Sequence, residues 1–296
     1  MSRNLAASIR TRLKQQADAT RQDFNLTLTR YGLERLLYRL SVSPHAQRYV
    51  LKGSLLFCVW YDQPHRPTRD ADLLGFGPSD VATAIATFQQ LCRMAVEDGL
   101  VLDAGSVQGS VIRKEAGYGG VRIDLQATLD GARLALQVDI GFGDAVWPES
   151  EPIAYPLLLA DLPAPQLRAY PKHSVVAEKF HALCVLGMVN SRLKDYFDLW
   201  VLLGDASLNA AQLRQAVQTT FDRRQTPLPT AQPAGLSVAF ATDAHKQAQW
   251  KAFLRKNRLP ALGLSEVVER LEVALRPVWT QPRTAHVGTL LNPKAG

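Results

Sequence analysis

Six short apolar runs in the first half of the chain, each bounded by turn residues, constrain its fold more than any other feature. They are YVLKG, SLLFCVWY, DADLLGF, VLDAG, VRIDLQATL and ALQVDIGF, and their lengths predict strands of a mixed sheet. Between the third and fourth runs, residues 79–99 keep helical apolar spacing, with Ser79 as the expected N-cap and Gly99 as the expected end. Strands joined through a crossover helix predict an α+β or α/β core over about residues 45–145.

Helical periodicity dominates on both sides of this core. Residues 4–42 predict one or two helices, and a proline-rich connection follows the core between residues 148 and 171. The helices predicted in the second half span residues 174–189, 191–203, 207–223, 243–257 and 265–276. The tail from Gln281 has no periodicity, so we expect it to be frayed. We therefore expect two domains, residues 1–150 with the sheet and residues 151–296 mainly helical.

Composition excludes several classes of protein. Hydrophobic residues make up 47% of the 296 residues and charged residues 21%, which is typical of globular proteins and not of disordered chains. The formal net charge of +7 is compatible with nucleotide or nucleic-acid partners without requiring them. Cys58, Cys92 and Cys184 are far apart and form no CxxC pair, which argues against disulfides and zinc. No apolar run is long enough to span a membrane, so we expect a cytoplasmic protein without membrane contact.

A glycine-serine pair followed by two aspartates is the most informative motif. Gly53-Ser54 precedes Asp70 and Asp72, which are two residues apart in one predicted strand. Residues two apart on a strand share a face, so the two carboxylates would lie side by side. Like charges at that distance repel unless a cation lies between them, and a site with oxygen ligands alone suits Mg²⁺, with Mn²⁺ as an alternative.

Two further features would complete a nucleotide site. Asp139, on a later predicted strand, is the expected third metal ligand, with Asp124 as the alternative. A glycine at position 53 lets backbone amides approach a triphosphate, and the hydroxyl of Ser54 can donate to a phosphate oxygen. A pair of aspartates alone is weak evidence, because such pairs more often cap a turn or face solvent. The ordered combination of these motifs is considerably more specific.

A cluster of charged residues marks the helical second half. Lys179 lies in an otherwise apolar helix, where a buried ammonium group needs a partner. Arg192, Lys194, Asp195 and Asp198 crowd the first turns of the next predicted helix, and residues three or four apart there share a face. Two interpretations remain open at this point: a site that takes part in catalysis, or a salt-bridge network that ties the two helices together.

Taken together, these motifs resemble the AbiEii/AbiGii nucleotidyltransferase toxins, a branch of the DNA polymerase beta-like nucleotidyltransferase superfamily. The resemblance runs through RYGLERLLYRLSVSP, YVLKGSLLF, TRDADLLGFG, QVDIGFGD and AEKFHALCVLGMVNSRLKDYFDLW. It implies a nucleotidyltransferase-type mixed β-sheet core with flanking helices, a helical C-terminal domain and an active site in the cleft between them. It also implies a type IV toxin-antitoxin system with a separate cognate antitoxin protein.

The resemblance implies a role for each motif. The residues expected to bind metal are Asp70, Asp72 and Asp139. The residues expected to bind the nucleotide are Gly53, Ser54, Lys179 and Arg192. The residues expected to be catalytic are Asp70, Asp72, Lys179 and an aspartate late in the chain, which is either Asp195 or Asp198.

The expected activity is transfer of a nucleoside monophosphate from a nucleoside triphosphate to RNA. The resemblance implies tRNA as the acceptor and inhibition of translation as the result. One alternative keeps the fold and changes the acceptor to a protein or a small molecule. Another is a non-catalytic module that binds nucleotide or RNA, and the intact Asp70 and Asp72 pair argues against it.

Overall fold

One mixed sheet with helices around it forms the structure. A computed structural model describes residues 3–61, 66–113 and 119–280, so the expected frayed tail from Gln281 lies outside the described residues. The strands are β1 (Tyr49–Lys52), β2 (Asp70–Gly75), β3 (Leu100–Arg113), β4 (Gly119–Leu129), β5 (Ala132–Phe142), β6 (Glu151–Ala154) and β7 (Gln166–Ala169). The predicted fold class, a mixed sheet with flanking helices, is confirmed.

The helices fall into groups before, within and after the sheet. Those in the first half are α1 (Arg3–Ala19), α2 (Phe24–Ser41), α3 (Leu56–Tyr61) and α4 (Val81–Arg93). Those in the second half are α5 (Lys172–Leu186), α6 (Leu193–Leu202), α7 (Ala210–Arg223), α8 (Val238–Thr242), α9 (Ala244–Lys256) and α10 (Leu264–Thr280). Across the described ranges, none of these helices combines the length and the apolar character that crossing a bilayer requires.

The strands lie in the order β3-β4-β5-β2-β1-β7-β6. Pairing is parallel between β2 and β5 and between β1 and β7, and antiparallel for the other neighbours. The two central strands β2 and β5 therefore run in the same direction and end at the same edge. Polar residues at equivalent positions on them become neighbours.

The second apolar run, SLLFCVWY, is not a strand as its composition suggested. The backbone leaves β1 at Gly53 with a φ of 75°, and a short 3-10 turn over Gly53–Leu55 continues directly into α3. The turn and the helix bury Leu55 and Leu56 against the core. A short run of apolar residues suits either a buried strand or a buried helix, and here the positive φ of the glycine decides in favour of the helix.

Helix α4 and the proline-rich connection also differ from the prediction. Helix α4 begins after Asp80, whose carboxylate accepts a hydrogen bond of 2.7 Å from the amide of Thr83, so Asp80 is the N-cap in place of Ser79. The helix ends at Arg93, before the predicted end at Gly99. The proline-rich connection contains the strands β6 and β7, which the sequence did not predict because closely spaced prolines indicate a loop.

The two faces of the sheet differ in chemistry. On β5, Leu134, Leu136, Val138 and Ile140 are buried and alternate with partly exposed or exposed residues. Helix α2 approaches this apolar face closely at Gly32, where an added Cβ would lie 2.8 Å from Leu136 Cδ2. The intervening residues of β5 point to the opposite face, which is therefore available to polar side chains.

Candidate active site

A row of charged residues crosses four adjacent strands on the polar face of the sheet. Lys52 on β1 pairs with Asp72 on β2, Asp72 pairs with Asp139 on β5, and Asp139 pairs with Arg122 on β4. Side chains of directly paired residues share a face and lie close together. The row therefore places two carboxylates side by side, with a cation on each flank.

Gly53 permits this arrangement because its missing side chain leaves room for Asp72. An added Cβ at this position would lie 2.1 Å from Asp72 Oδ2, and the φ of 75° already disfavours other residues. The carboxylate of Asp72 thus packs directly against the bend that follows β1. The glycine was predicted to admit a phosphate, and in the structure its bare Cα faces the carboxylate.

Ser54 and Asp70 are linked through a residue that the sequence analysis did not single out. The buried Ser54 hydroxyl donates to Thr68 Oγ1 over 2.7 Å, and the Thr68 hydroxyl donates to Asp70 Oδ1 over 2.7 Å. These bonds tie the Gly53–Leu55 turn to the start of β2. The hydroxyl expected to donate to a phosphate is engaged within the protein in the structure.

The carboxylate of Asp72 is in an unfavourable electrostatic environment. Burial raises its pKa, and the neighbouring carboxylates of Asp70 and Asp139 raise it further, while Lys194 and Lys52 act in the opposite direction. Closely spaced carboxylate oxygens are a suitable donor set for a divalent cation. The chemistry of Asp70, Asp72 and Asp139 therefore suits the divalent metal that the sequence motif suggests.

The positions of these three carboxylates, in contrast, do not form a complete metal site. In the portion of the chain that the structure describes, no three His, Cys, Asp or Glu side chains are grouped as a preformed metal site. Asp139 instead accepts a bidentate pair of hydrogen bonds from Arg122, at 2.8 and 2.7 Å. The side chain of Arg122 is 40% exposed, so this ion pair lies where solvent and ligands can reach it.

The helical side of the site contains a second group of charges. Lys179 Nζ on α5 lies 2.7 Å from Asp195 Oδ1 and 2.8 Å from Asp198 Oδ2, both on α6. Arg66 forms two hydrogen bonds with Asp198, at 2.7 and 2.9 Å. Burial opposes ionisation of Asp198, but Lys179 and Arg66 outweigh it and lower its pKa to about 2. This is the salt-bridge network that the sequence left as one of two interpretations.

The two aspartates of this network differ in their contacts. Asp198 is bound on both oxygens by Lys179 and Arg66. Asp195 is fully buried, and its Oδ2 lies 2.9 Å from Arg192 Nε but accepts no hydrogen bond. Asp195 therefore retains an unsatisfied oxygen, whereas Asp198 does not.

A third group of charges joins the two sides. Lys52 Nζ lies 2.7 Å from Asp144 Oδ2 and 3.1 Å from Glu178 Oε2, and Arg224 at the end of α7 binds Asp144 over 2.8 Å. The Arg224 guanidinium also lies 3.2 Å from Nδ1 of His181. Burial, reinforced by Arg224, lowers the pKa of His181 to about 4, so its imidazole is neutral at pH 7.

A cavity of about 610 Å³ lies between the sheet and the helices. The residues predicted from sequence that line it are Gly53, Ser54, Asp72, Asp139, Lys179, Arg192 and Asp195. Asp70 and Asp198 are outside the lining, where they bind Thr68 and Arg66 respectively. Most of the residues singled out from sequence thus share one cavity, although they are far apart in the chain.

Several residues of the site were not predicted from the sequence. The charged residues among them are Lys52, Arg66, Arg122, Asp144 and Arg224. Lys52 immediately precedes the Gly53-Ser54 pair, and Asp144 ends the QVDIGFGD segment, so proximity to a motif could have marked both. The three arginines carry no such local signal, because their partners are distant in the chain.

Comparison with known proteins matches this chain to one family. The sequence pattern of the nucleotidyl transferase AbiEii toxin of type IV toxin-antitoxin systems matches residues 35–277. Curated protein sequences gave no match. Two crystal structures from Helicobacter pylori, JHP933 and a candidate nucleotidyltransferase, are each 14% identical to the chain with a TM-score of 0.48. The alignments cover 83% of this chain in both cases, 88% of JHP933 and 91% of the second protein.

Proposed function

The chain belongs to the AbiEii family of nucleotidyltransferase toxins of type IV toxin-antitoxin systems, and on that basis we propose that it transfers a nucleoside monophosphate to RNA. Nucleoside triphosphate would be the donor, tRNA the expected acceptor, and inhibition of translation the result. In the reaction, an acceptor hydroxyl attacks the α-phosphorus and pyrophosphate leaves. The family also implies a separate antitoxin protein.

One observation carries this proposal. Asp72 and Asp139 are neighbours in register on a face of the sheet that lines the same cavity as Lys179 and Arg192. Carboxylates on one wall and cations on the other provide the two kinds of group that phosphoryl transfer needs, one set to hold cations and one to hold phosphate oxygens.

The cations of the helical wall support phosphate binding to different extents. Lys179 is only 12% exposed and is neutralised by two aspartates, so it contributes mainly by keeping Asp195 and Asp198 ionised and in place. Arg192 and Lys194 are exposed and line the cavity. We propose that these two side chains bind the phosphates that leave as pyrophosphate, where negative charge develops during transfer.

The sheet wall supports metal binding. Asp70, Asp72 and Asp139 would hold a divalent cation, which we propose to be Mg²⁺, with Mn²⁺ as the alternative. Such a cation polarises a phosphoryl oxygen and favours deprotonation of a bound hydroxyl. Lys52 and Arg122 flank the carboxylates and limit the net negative charge that an approaching triphosphate meets.

We further propose the cytoplasm as the location of the reaction, because both the nucleotide and the tRNA are available there. The division into domains near residue 150 remains a proposal. The strands β6 and β7 follow that boundary, and β7 pairs with β1. Any such division would therefore leave part of the second unit in the sheet of the first.

A labelling assay tests the proposed function. Purified protein is incubated with each of the four nucleoside triphosphates, labelled at the α-phosphate, with total tRNA and with Mg²⁺ or Mn²⁺. We expect label to appear in tRNA with at least one nucleotide. The Asp72→Asn variant should lose this activity, whereas Asp124→Asn, which changes an exposed aspartate of β4 in the same sheet, should retain it.

Two outcomes would contradict the proposal. Absence of label with all four nucleotides and both metals would exclude nucleotide transfer to tRNA. Label that resists nuclease and migrates with a protein band would move the acceptor from RNA to protein.

A further inference from the structure

Helix α5 and the turn after it form part of the cavity wall, and from Glu178 onwards this part changes from charged to apolar residues. Glu178 and Lys179 line the cavity in the middle of the helix. The apolar lining residues that follow them are Ala182, Val185 and Leu186 on α5, and Val189 in the 3-10 turn Gly187–Val189 directly after the helix. At a rise of about 1.5 Å per residue, Val185 lies about 9 Å beyond Lys179 along the helix. Helix α5 and the turn after it therefore offer a charged region and an apolar region within a single cavity.

The apolar region is unusually exposed for its composition. The side chain of Val189 is 80% exposed and that of Val185 is 48% exposed. Single exposed apolar residues are common, but these belong to one stripe that is continuous with a cavity, and contiguous exposed apolar surface often marks a binding site. Val238 is 74% exposed and lies outside the lining, so it provides a matched residue without this context.

We propose that Val185 and Val189 pack against the base of the incoming nucleoside triphosphate. This inference rests on the proposed function and assigns the orientation of its substrate. A nucleotide is charged at one end and has a flat, weakly polar ring at the other, which matches the order of an apolar region followed in the chain by Arg192 and Lys194, the proposed phosphate-binding residues. A backbone of RNA is charged along its whole length and matches that order less well.

The chemistry of the apolar region also bears on base selection. Ala182, Val185, Leu186 and Val189 have no polar side-chain atoms. Aliphatic groups can contact the face of any base but cannot distinguish bases by hydrogen bonds to their edges. We therefore expect this wall to contribute to affinity for all four nucleotides to a similar extent.

Equilibrium binding tests the proposal without requiring catalysis. Dissociation constants are measured for ATP and for inorganic tripolyphosphate, which lacks the base and the ribose. The double variant Val185→Asn/Val189→Asn should weaken ATP binding by about tenfold, the scale of losing contact with buried aliphatic groups, and leave tripolyphosphate binding unchanged. The matched control Val238→Asn should change neither constant. The conservative double variant Val185→Leu/Val189→Leu should retain ATP binding within about twofold.

The outcomes separate this inference from the proposed function. Equal losses for ATP and tripolyphosphate, or no loss for either, would overturn the assignment of the base. In transfer assays, a higher KM for RNA with an unchanged KM for the nucleotide would assign the apolar region to the acceptor and also overturn it. If the unmodified protein transfers no nucleotide but the difference between ATP and tripolyphosphate follows the prediction, the proposed function fails and the base subsite stands.

Discussion

A pair of aspartates belongs to each side of the cavity, with Asp198 just outside its lining, and the two pairs are in different electrostatic environments. On the sheet, Asp72 and Asp139 are direct neighbours, and burial together with nearby carboxylates raises the pKa of Asp72. On the helices, Asp195 and Asp198 surround Lys179, and the pKa of Asp198 is lowered to about 2 despite its burial. Arg122 compensates Asp139, so the unfavourable electrostatics on the sheet fall on Asp72, whereas Lys179 compensates both aspartates of the helical pair.

This difference indicates a division of roles. A buried carboxylate beside other carboxylates, as Asp72 is, is costly in the absence of a cation and is therefore suited to binding one. A compensated pair is satisfied by its own lysine and arginine, and removal of one partner leaves buried charges unpaired. We expect substitutions on the sheet to affect activity first and substitutions in the helical network to affect stability first.

The largest expected effect is on activity and comes from the sheet. The substitution Asp72→Asn should reduce nucleotide transfer by about 10³-fold, or about 4 kcal/mol, because it removes a charged ligand from the proposed metal site. The free energy of unfolding should stay the same or increase, because a repulsive charge is lost. Transfer kinetics and urea unfolding measured on the same preparation check both parts. A marked loss of stability would place Asp72 with the compensated pair.

The corresponding change in the helical network should act on stability. The substitution Asp198→Asn leaves Arg66 without its buried partner and should lower the free energy of unfolding by about 3 kcal/mol. Urea denaturation measures this loss. As a control, Asp18→Asn removes one partner of the exposed pair Lys14–Asp18 and should leave the denaturation midpoint nearly unchanged. A stable but inactive Asp198→Asn variant would break the distinction between the walls.

A smaller effect should follow from displacing a carboxylate without removing it. The substitution Gly53→Ala forces Asp72 away from the bend, because the new Cβ would lie 2.1 Å from its Oδ2. Displacements of this kind cost about 100-fold in rate. Gly131→Ala is the matched control, since its φ of 77° is similar and no atom lies within 4 Å of an added Cβ. If both variants lose transfer activity equally, backbone strain and not the position of Asp72 is responsible.

The smallest expected effect is the dependence of stability on pH. The pKa of Asp198 is lowered from its ordinary value of 3.8 to about 2, so this group stabilises the protein above pH 4. That contribution, about 2 kcal/mol, should disappear as the pH falls from 4 towards 2. The difference in unfolding free energy between the native protein and Asp198→Asn should narrow over this range.

The contribution of Asp72 to stability should change with pH in the opposite direction. Because the pKa of Asp72 is raised, the folded state binds a proton more readily than the unfolded state, and acid favours the native protein relative to Asp72→Asn. Unfolding curves of the three proteins at a series of pH values give both differences. If the two differences change in the same direction with pH, the proposed contrast between the pairs is wrong.

Local patterns were sufficient for much of the fold and for the centre of the site. Alternation and turn residues marked most strands, and the two-residue spacing of Asp70 and Asp72 placed them on one strand face. The run after Gly53 was misassigned, because a short apolar run has no periodicity that separates helix from strand. The four-residue strands β6 and β7 were missed because they lie in a proline-rich stretch, whereas β1, of the same length, belongs to an apolar run.

The partners of the charged residues could not be predicted in the same way. Arg122 meets Asp139 only through the register of β4 with β5, and Arg66 meets Asp198 across 132 positions of the chain. The sequence contains 34 lysines and arginines, and none of these arginines differs locally from the others. Which cations compensate which carboxylates is therefore decided by tertiary structure.

The short parallel contact between β1 and β7 has a mechanical consequence. Leu51 pairs with Ala169, and the amide of Tyr170 donates to the carbonyl of Leu51 over 2.9 Å, two residues before α5 begins. The segment that leads into α5, the helix of Lys179, is thereby hydrogen-bonded to β1, the strand of Lys52. The sheet therefore fixes where α5 begins, and packing against α6 and α7 holds the rest of the helix, so a shift of β1 should move Lys52 and Lys179 together.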